Sequence, residues 1–237
     1  MNKKLVIRKA HRYIALVVSV QLLFWSLGGL YFSIFPIERI HGDHLKARLE
    51  EPAKEEIGKY VSIGSITDKV ENKDVIINVS LKFSARNPLY IVQLLGESPL
   101  FFDAQSGEKL SKLTEEEVLD LASRLSNGAG NPVSVEWLTE VEVDSEYRNK
   151  HLPVYRVAFD GADSLNMYLH GFTGEIVSMR TSEWRIFDFL WMMHVMDYET
   201  RDNFNHFLLQ FFASLAVLSS LSGLLLWWSS RRRARVS

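Results

Sequence analysis

IALVVSVQLLFWSLGGLYFSIF, residues 14–35, is a run of 22 residues without a charged side chain, and FLLQFFASLAVLSSLSGLLLWW, residues 207–228, is a second of the same length. At about 1.5 Å per residue a helix of that length is roughly 33 Å long, enough to cross a bilayer core of about 30 Å. The first run follows a basic start (Lys3, Lys4, Arg8, Lys9, Arg12) and is longer than the apolar core of a cleaved signal, and no small-x-small cleavage pattern follows it in PIERIHGD. It therefore reads as a retained transmembrane helix. The second is followed by WWSSRRRARVS, an aromatic interface ahead of a basic anchor.

The charges fall into zones. Five basic residues lie up to Arg12 and four between Arg231 and Arg235, whereas all 29 acidic residues lie between Glu38 and Asp202, so the middle carries 18 basic against 29 acidic residues, a net of −11. By the positive-inside rule both termini are expected in the cytoplasm, with residues 37–203 on the periplasmic side of a bacterial inner membrane. An acidic exported segment without a basic stripe excludes nucleic acid as a partner. The chain has no cysteine, which excludes disulfides, thiolate metal sites and cysteine nucleophiles. No G-x-S-x-G, H-E-x-x-H, phosphate loop or dinucleotide fingerprint occurs, so an enzyme of those classes is not expected.

Within the exported part, NPLYIVQLLGESPLFFDAQSGEKL (87–110) and LPVYRVAFDGADSLNMYLHGFTGEIV (152–177) resemble each other. Pro88 and Pro153 stand two before Tyr90 and Tyr155 and four before Val92 and Val157, and Gly107-Glu108 and Gly174-Glu175 close the two stretches. Each reads as an antiparallel hairpin, preceded by a further strand at 74–83 or 133–143 and led by a helix. Thr114 and Glu117 form a capping box for a helix to about Ser126, with Val118, Leu119, Ala122 and Leu125 buried; for the first copy a helix is expected from Pro52 to Tyr60. The expected fold is α+β, two helix-plus-antiparallel-sheet repeats inserted between two transmembrane helices.

These stretches resemble the PepSY module. RKAHRYIALVVSVQLLFWSLGGLYFS and LWMMHVMDY…NHFLLQFFASLAVLSSLSGLLLWW are similar to the first and last helices of the PepSY-associated transmembrane family. The chain accordingly divides into a cytoplasmic basic tail (1–12), a transmembrane helix (13–36), two PepSY-like units (37–112 and 113–181), an interfacial aromatic segment (182–203), a second transmembrane helix (204–229) and a basic tail (230–237). Larger members have four or more helices, and this chain has two. The resemblance implies a binding or regulatory module for a periplasmic protein or siderophore. Alternatively, it implies a haem b ferric (siderophore) reductase component in iron uptake, with His11 and His194 as axial ligands and His206 as a third candidate.

His11 lies near the cytoplasmic end of the first helix and His206 at the outer end of the second, so these two cannot share a haem. His194 and His206 can approach only if DYETRDN folds the chain back, with Asp202 or Asn203 capping the next helix. Otherwise both histidines simply sit at headgroup level. His41, Asp43 and His44 offer a metal-binding cluster in one turn. His151 and His170 are expected at the surface or a strand edge. Gly29-x-x-x-Ser33 and Ser219-x-x-x-Gly223 are small-x-x-x-small faces that suit a homodimer or a larger membrane partner.

Overall fold

The computed structural model describes residues 3–47 and 59–234. They form two compact units, one of Glu38–Glu183 and one of Met1–Ile37 with Trp184–Ser237.

The middle unit is α+β. The long helix α1 (Lys3–Ile34) of the other unit is followed by the short helices α2 (Ile37–Ile40) and α3 (Ile63–Thr67), and strands β1 (Ile76–Phe83), β2 (Pro88–Leu94) and β3 (Leu100–Asp103) then make an antiparallel sheet in the order β1-β2-β3. Helix α4 (Glu115–Leu125) precedes β4 (Pro132–Leu138), β5 (Val154–Phe159), β6 (Asn166–His170) and β7 (Ile176–Arg180), a second antiparallel sheet in the order β4-β5-β6-β7. The helix expected at Pro52 to Tyr60 falls at 52–58 outside the described residues; Ser62 instead caps α3.

Alternation along the strands puts Tyr90, Val92, Leu94 and Phe102 in one core with Ile66 of α3, and Tyr155, Val157, Phe159, Met167 and Leu169 in another under α4. The capping box at Thr114 and Glu117 is present, but the buried positions of α4 are Val118, Leu121, Ala122 and Leu125. Spacings of three, four and seven from Val118 select Leu121 and leave Leu119 half-buried. β4 ends at Leu138, short of the expected 143, because the following loop packs on the far side of its sheet: buried Tyr147 stacks on Tyr168 with centroids 4.4 Å apart.

Three local arrangements occur in both halves. Tyr90 donates to Val61 O (2.7 Å) and Tyr155 to Leu113 O, in each case the residue before the helix cap. Gly107 and Gly174, at φ 70° and 69°, bond back to Asp103 O and His170 O, each at 2.9 Å, while Asp103 and His170 bond to Glu108 O and Glu175 O. The outer strands β1 and β4 each shift register early, at Ile77 and Val133.

The sheets meet where Phe101 stacks on Phe172 (4.7 Å) and Lys82 pairs with Glu175 (2.7 Å). His170 belongs to this seam and not to the surface: its Nδ1 lies 3.3 and 3.2 Å from the N–H groups of Phe172 and Thr173, which donate to it, and its ring meets Phe101 edge-on. Burial lowers the His170 pKa most, opposed by Glu175 and reinforced by Lys82 and His151. A folded state that holds this proton less readily than the unfolded chain is fully stabilised above the ordinary imidazole value of about 6.5 and loses that stability as pH falls through it. Thermal unfolding between pH 7.5 and 5 is expected to show a falling midpoint, and His170→Gln a shallower fall.

The other unit is helical: α1, α5 (Ser182–Val195) and α6 (Phe207–Ala234). Arg8–Ile34 and Phe207–Trp228 are long and apolar enough to cross a membrane, and no residue of the second span is buried within the described chain. His11 lies against Ser222 and Gly223, Arg8 with Leu226, and Trp25 with Leu209, so α1 and α6 are antiparallel. Positions descend along α6 one for one as they rise along α1.

Candidate functional site

Segment 182–203, expected to lie in the membrane interface, packs against α1: Phe187 meets Phe32 at 4.7 Å, and α5 ends beside Trp25 and Gln21. A helix end leaves its last four carbonyls without intrahelical donors, which is costly in an apolar setting. Here each has one. Met196 N bonds Met192 O (2.8 Å), Gln21 Nε2 donates to Met193 O (2.9 Å), Trp25 Nε1 to His194 O (2.8 Å), and His206 Nε2 to Val195 O (2.8 Å).

DYETRDN does break the helix, with Met196 and Arg201 at φ 59° and 62°. Asp197 organises the turn, accepting from the backbone N–H groups of Glu199, Thr200, Asp202 and Asn203 and from the Thr200 hydroxyl. Burial works against ionisation of Asp197, but the Thr200 hydroxyl and the Asn203, Thr200 and Glu199 N–H groups outweigh it and hold the carboxyl far below its ordinary range. Arg201 pairs with buried Asp188, and its carbonyl accepts from Trp191 Nε1 (3.0 Å), which pins the turn to α5. Neither Asp202 nor Asn203 caps α6, which starts only at Phe207; the Asn203 side chain accepts from Asn205 N instead.

The fold-back encloses a slot of about 340 Å³ lined by Trp25, Trp191, His194, Val195, Phe204 and Leu209. The His194 ring is parallel to Trp191 (6°, 6.3 Å) and 6.1 Å from Trp25. Its Nδ1 is buried without a partner among the described residues, so stacking orients it. His206 does not line the slot, since its Nε2 is taken by the end of α5.

His11 is held differently. Its Nδ1 lies 2.8 Å from Ser222 Oγ, and that hydroxyl gives its proton to Ser219 O (2.9 Å). Nδ1 must therefore be the donor, and in the neutral ring Nε2 keeps a free lone pair. The ring packs directly on Gly223, where an added Cβ would stand in contact at 3.4 Å from His11 Cε1. Gly29, by contrast, has open space around its Cα. His11 and Trp25 are 14 positions apart on α1, a rise of about 21 Å, so His11 and His194 belong to separate sites.

His41, Asp43 and His44 are not brought together with further ligands. Among the described residues no group of three or more His, Cys, Asp or Glu converges as a metal site. The Asp43 carboxylate is taken by Lys46 (2.5 Å), whose hydrogen bond is the main reason its pKa is lowered, against a smaller effect of burial, with the Lys46, His41 and His44 charges adding to it.

Sequence reasoning missed Gln21, Trp25 and Ser222 as positioning residues. A lone amide inside an apolar run was the available signal, since lipid makes such a group costly unless it is bonded.

A family model described as PepSY-associated TM region matches residues 8–237, nearly the whole chain. The chain belongs to this family. With two helices able to cross a membrane, it is a membrane protein carrying an α+β unit between them. No curated protein and no solved structure matches it significantly.

Gln21→Leu leaves Met193 O without a donor. Thermal unfolding of the protein in detergent is expected to show a loss of about 1 kcal/mol, the scale of a side-chain hydrogen bond between membrane helices, with Leu22→Ala on the exposed side of α1 as the comparison.

Proposed function

We propose that this is an inner-membrane protein with both ends in the cytoplasm, holding out a tandem pair of PepSY-like units that bind and regulate a periplasmic partner. The charge zones support the orientation: basic chain ends against a middle of net −11. The repeated tyrosine-to-carbonyl bond, glycine turn and early register shift support descent of both units from one frame.

The observation that carries the binding role is what the two register shifts do. β1 and β4 pair on one side only among the described residues, and each turns its extra residue outward, leaving Ile77 61% and Val133 60% exposed. Bulges usually guard an edge by bending it or by carrying charge. A branched apolar side chain at both bulges suits strand addition by an extended partner, with backbone bonds for affinity and side-chain contacts for choice. Affinity capture with the full-length protein in detergent is expected to retain a defined envelope protein that Ile77→Lys with Val133→Lys releases. Retention unaffected by the double change counts against the reading.

A second reading, haem b, is favoured by the two imidazoles. His11, anchored at Nδ1 with Nε2 free, has the orientation expected of a ligand with its other nitrogen bonded, and His194 stands in an aromatic slot. Each site supplies one imidazole, so a second axial ligand has to come from another copy or a larger membrane partner. The exposed surface of α6 and the open Gly29 face leave room for a homodimer. Bound haem would supply one-electron transfer toward ferric iron; the chain's own residues orient the imidazoles, Ser222 by a hydrogen bond to His11 and Trp191 by stacking on His194. A reduced-minus-oxidised spectrum is expected to show a b-type band that falls in His11→Ala and in His194→Ala. A featureless spectrum of the intact protein removes this reading.

A further inference from the structure

The two apolar runs are out of step. With Arg8 beside Leu226 and His11 beside Gly223, the start of the α1 run at Ile14 stands near Ser220, yet the α6 run continues for eight more residues to Trp228. That overhang is about 12 Å long. The first turns of α1 lie alongside it, so the guanidinium groups of Arg8 and Arg12 emerge next to leucines. Among the described residues neither has a carboxylate partner, and by sequence the nearest acidic residue is Glu38, at the other end of α1.

Arg8 lies one turn from His11 and Arg12 on α1, and with Ala15, Leu16 and Leu226 they line an open hollow of about 720 Å³. Cations therefore stand at one rim and an apolar floor runs away from them. His11 is fixed by Ser222 at 2.8 Å, on the α6 side of the hollow. From the level of Phe35 to that of Trp228 the two runs together cover about 45 Å, the thickness of a bilayer with its headgroups. On that scale Arg8 lies in the headgroup layer and Arg12 at the edge of the hydrocarbon.

We propose that this hollow seats one anionic phospholipid, its phosphate on Arg8 and Arg12 and an acyl chain along Ala15, Leu16 and Leu226. Guanidinium forks match phosphate oxygens, and long basic side chains reach from an apolar surface to the headgroups. The apolar floor selects a lipid over a free phosphate. The inference rests on the reading that α1 and α6 lie in lipid.

The test is native mass spectrometry of the full-length protein extracted from membranes with mild detergent and supplied with phosphatidylglycerol, phosphatidylcholine or inorganic phosphate. One phosphatidylglycerol per chain is expected to stay bound in preference to phosphatidylcholine, and 10-fold excess inorganic phosphate, of order of magnitude only, should not displace it. Arg8→Gln with Arg12→Gln should weaken retention about thirtyfold, the loss expected for two basic side chains at an anionic surface, whereas Arg231→Gln with Arg233→Gln should not. Equal loss in both double variants, no preference between the lipids, or displacement by phosphate overturns the proposal. Recovery of the protein in the aqueous fraction would instead overturn the reading that the helices lie in lipid.

Discussion

Four carbonyl groups at the end of α5 have to find donors in a helical unit with little water near it, and much of that unit follows from how they do so. One is met by the chain itself, through Met196. The other three draw on side chains outside the helix, Gln21 and Trp25 of α1 and His206 just before α6. An orphaned buried carbonyl costs about 1–3 kcal/mol, so these contacts fix the depth of α5 against α1 and the point at which the chain can turn into α6. The turn is then closed by its own side chain, Asp197, which satisfies four backbone N–H groups in a segment too short to form regular structure.

That constraint gives the two histidines of the segment opposite duties. His206 follows the turn and is consumed as a donor to Val195 O. His194 sits in the last turn of α5, where its carbonyl is bonded by Trp25 but its ring is held by the aromatic rings of Trp191, Trp25 and Phe32, and so it remains available to a ligand in the slot. Their twelve-residue spacing does not distinguish them. What does is the geometry of a helix end, which depends on a glutamine and a tryptophan about 170 positions earlier in the chain.

The sequence was legible where a physical signal is local. Two uncharged runs of spanning length, a Thr-x-x-Glu capping box and the repeated Pro-x-Tyr-x-Val pattern each specify an element from neighbouring residues, and α1, α4, α6 and the two hairpins lie where those signals put them. It was illegible where partners are remote. Nothing near DYETRDN announces that α5 packs against α1, because an aromatic and methionine-rich helix suits a lipid interface as well as a protein surface. His170 looked like a strand-edge residue for the same reason: the ring that covers it, Phe101, comes from the other sheet. The contact of Gly223 with His11 is illegible for the same reason, since the two residues lie at opposite ends of the sequence.

The depth of α5 also determines what happens at the other end of the helical unit. By lying beside the top of α1, from Phe32 down to Gln21, it takes the place that α6 would occupy if the two spanning helices were in step. α6 can then begin only near the level of Leu27 and must run on past the first turns of α1 to complete its apolar length. The basic residues that open the chain are thereby set against leucines. A hydrogen-bonding requirement on one side of the unit is in this way converted, through two rigid helices, into an unbalanced positive rim on the other. The same displacement carries His11 alongside Ser222 and Gly223, where a hydroxyl can fix its tautomer and its ring packs directly on the glycine.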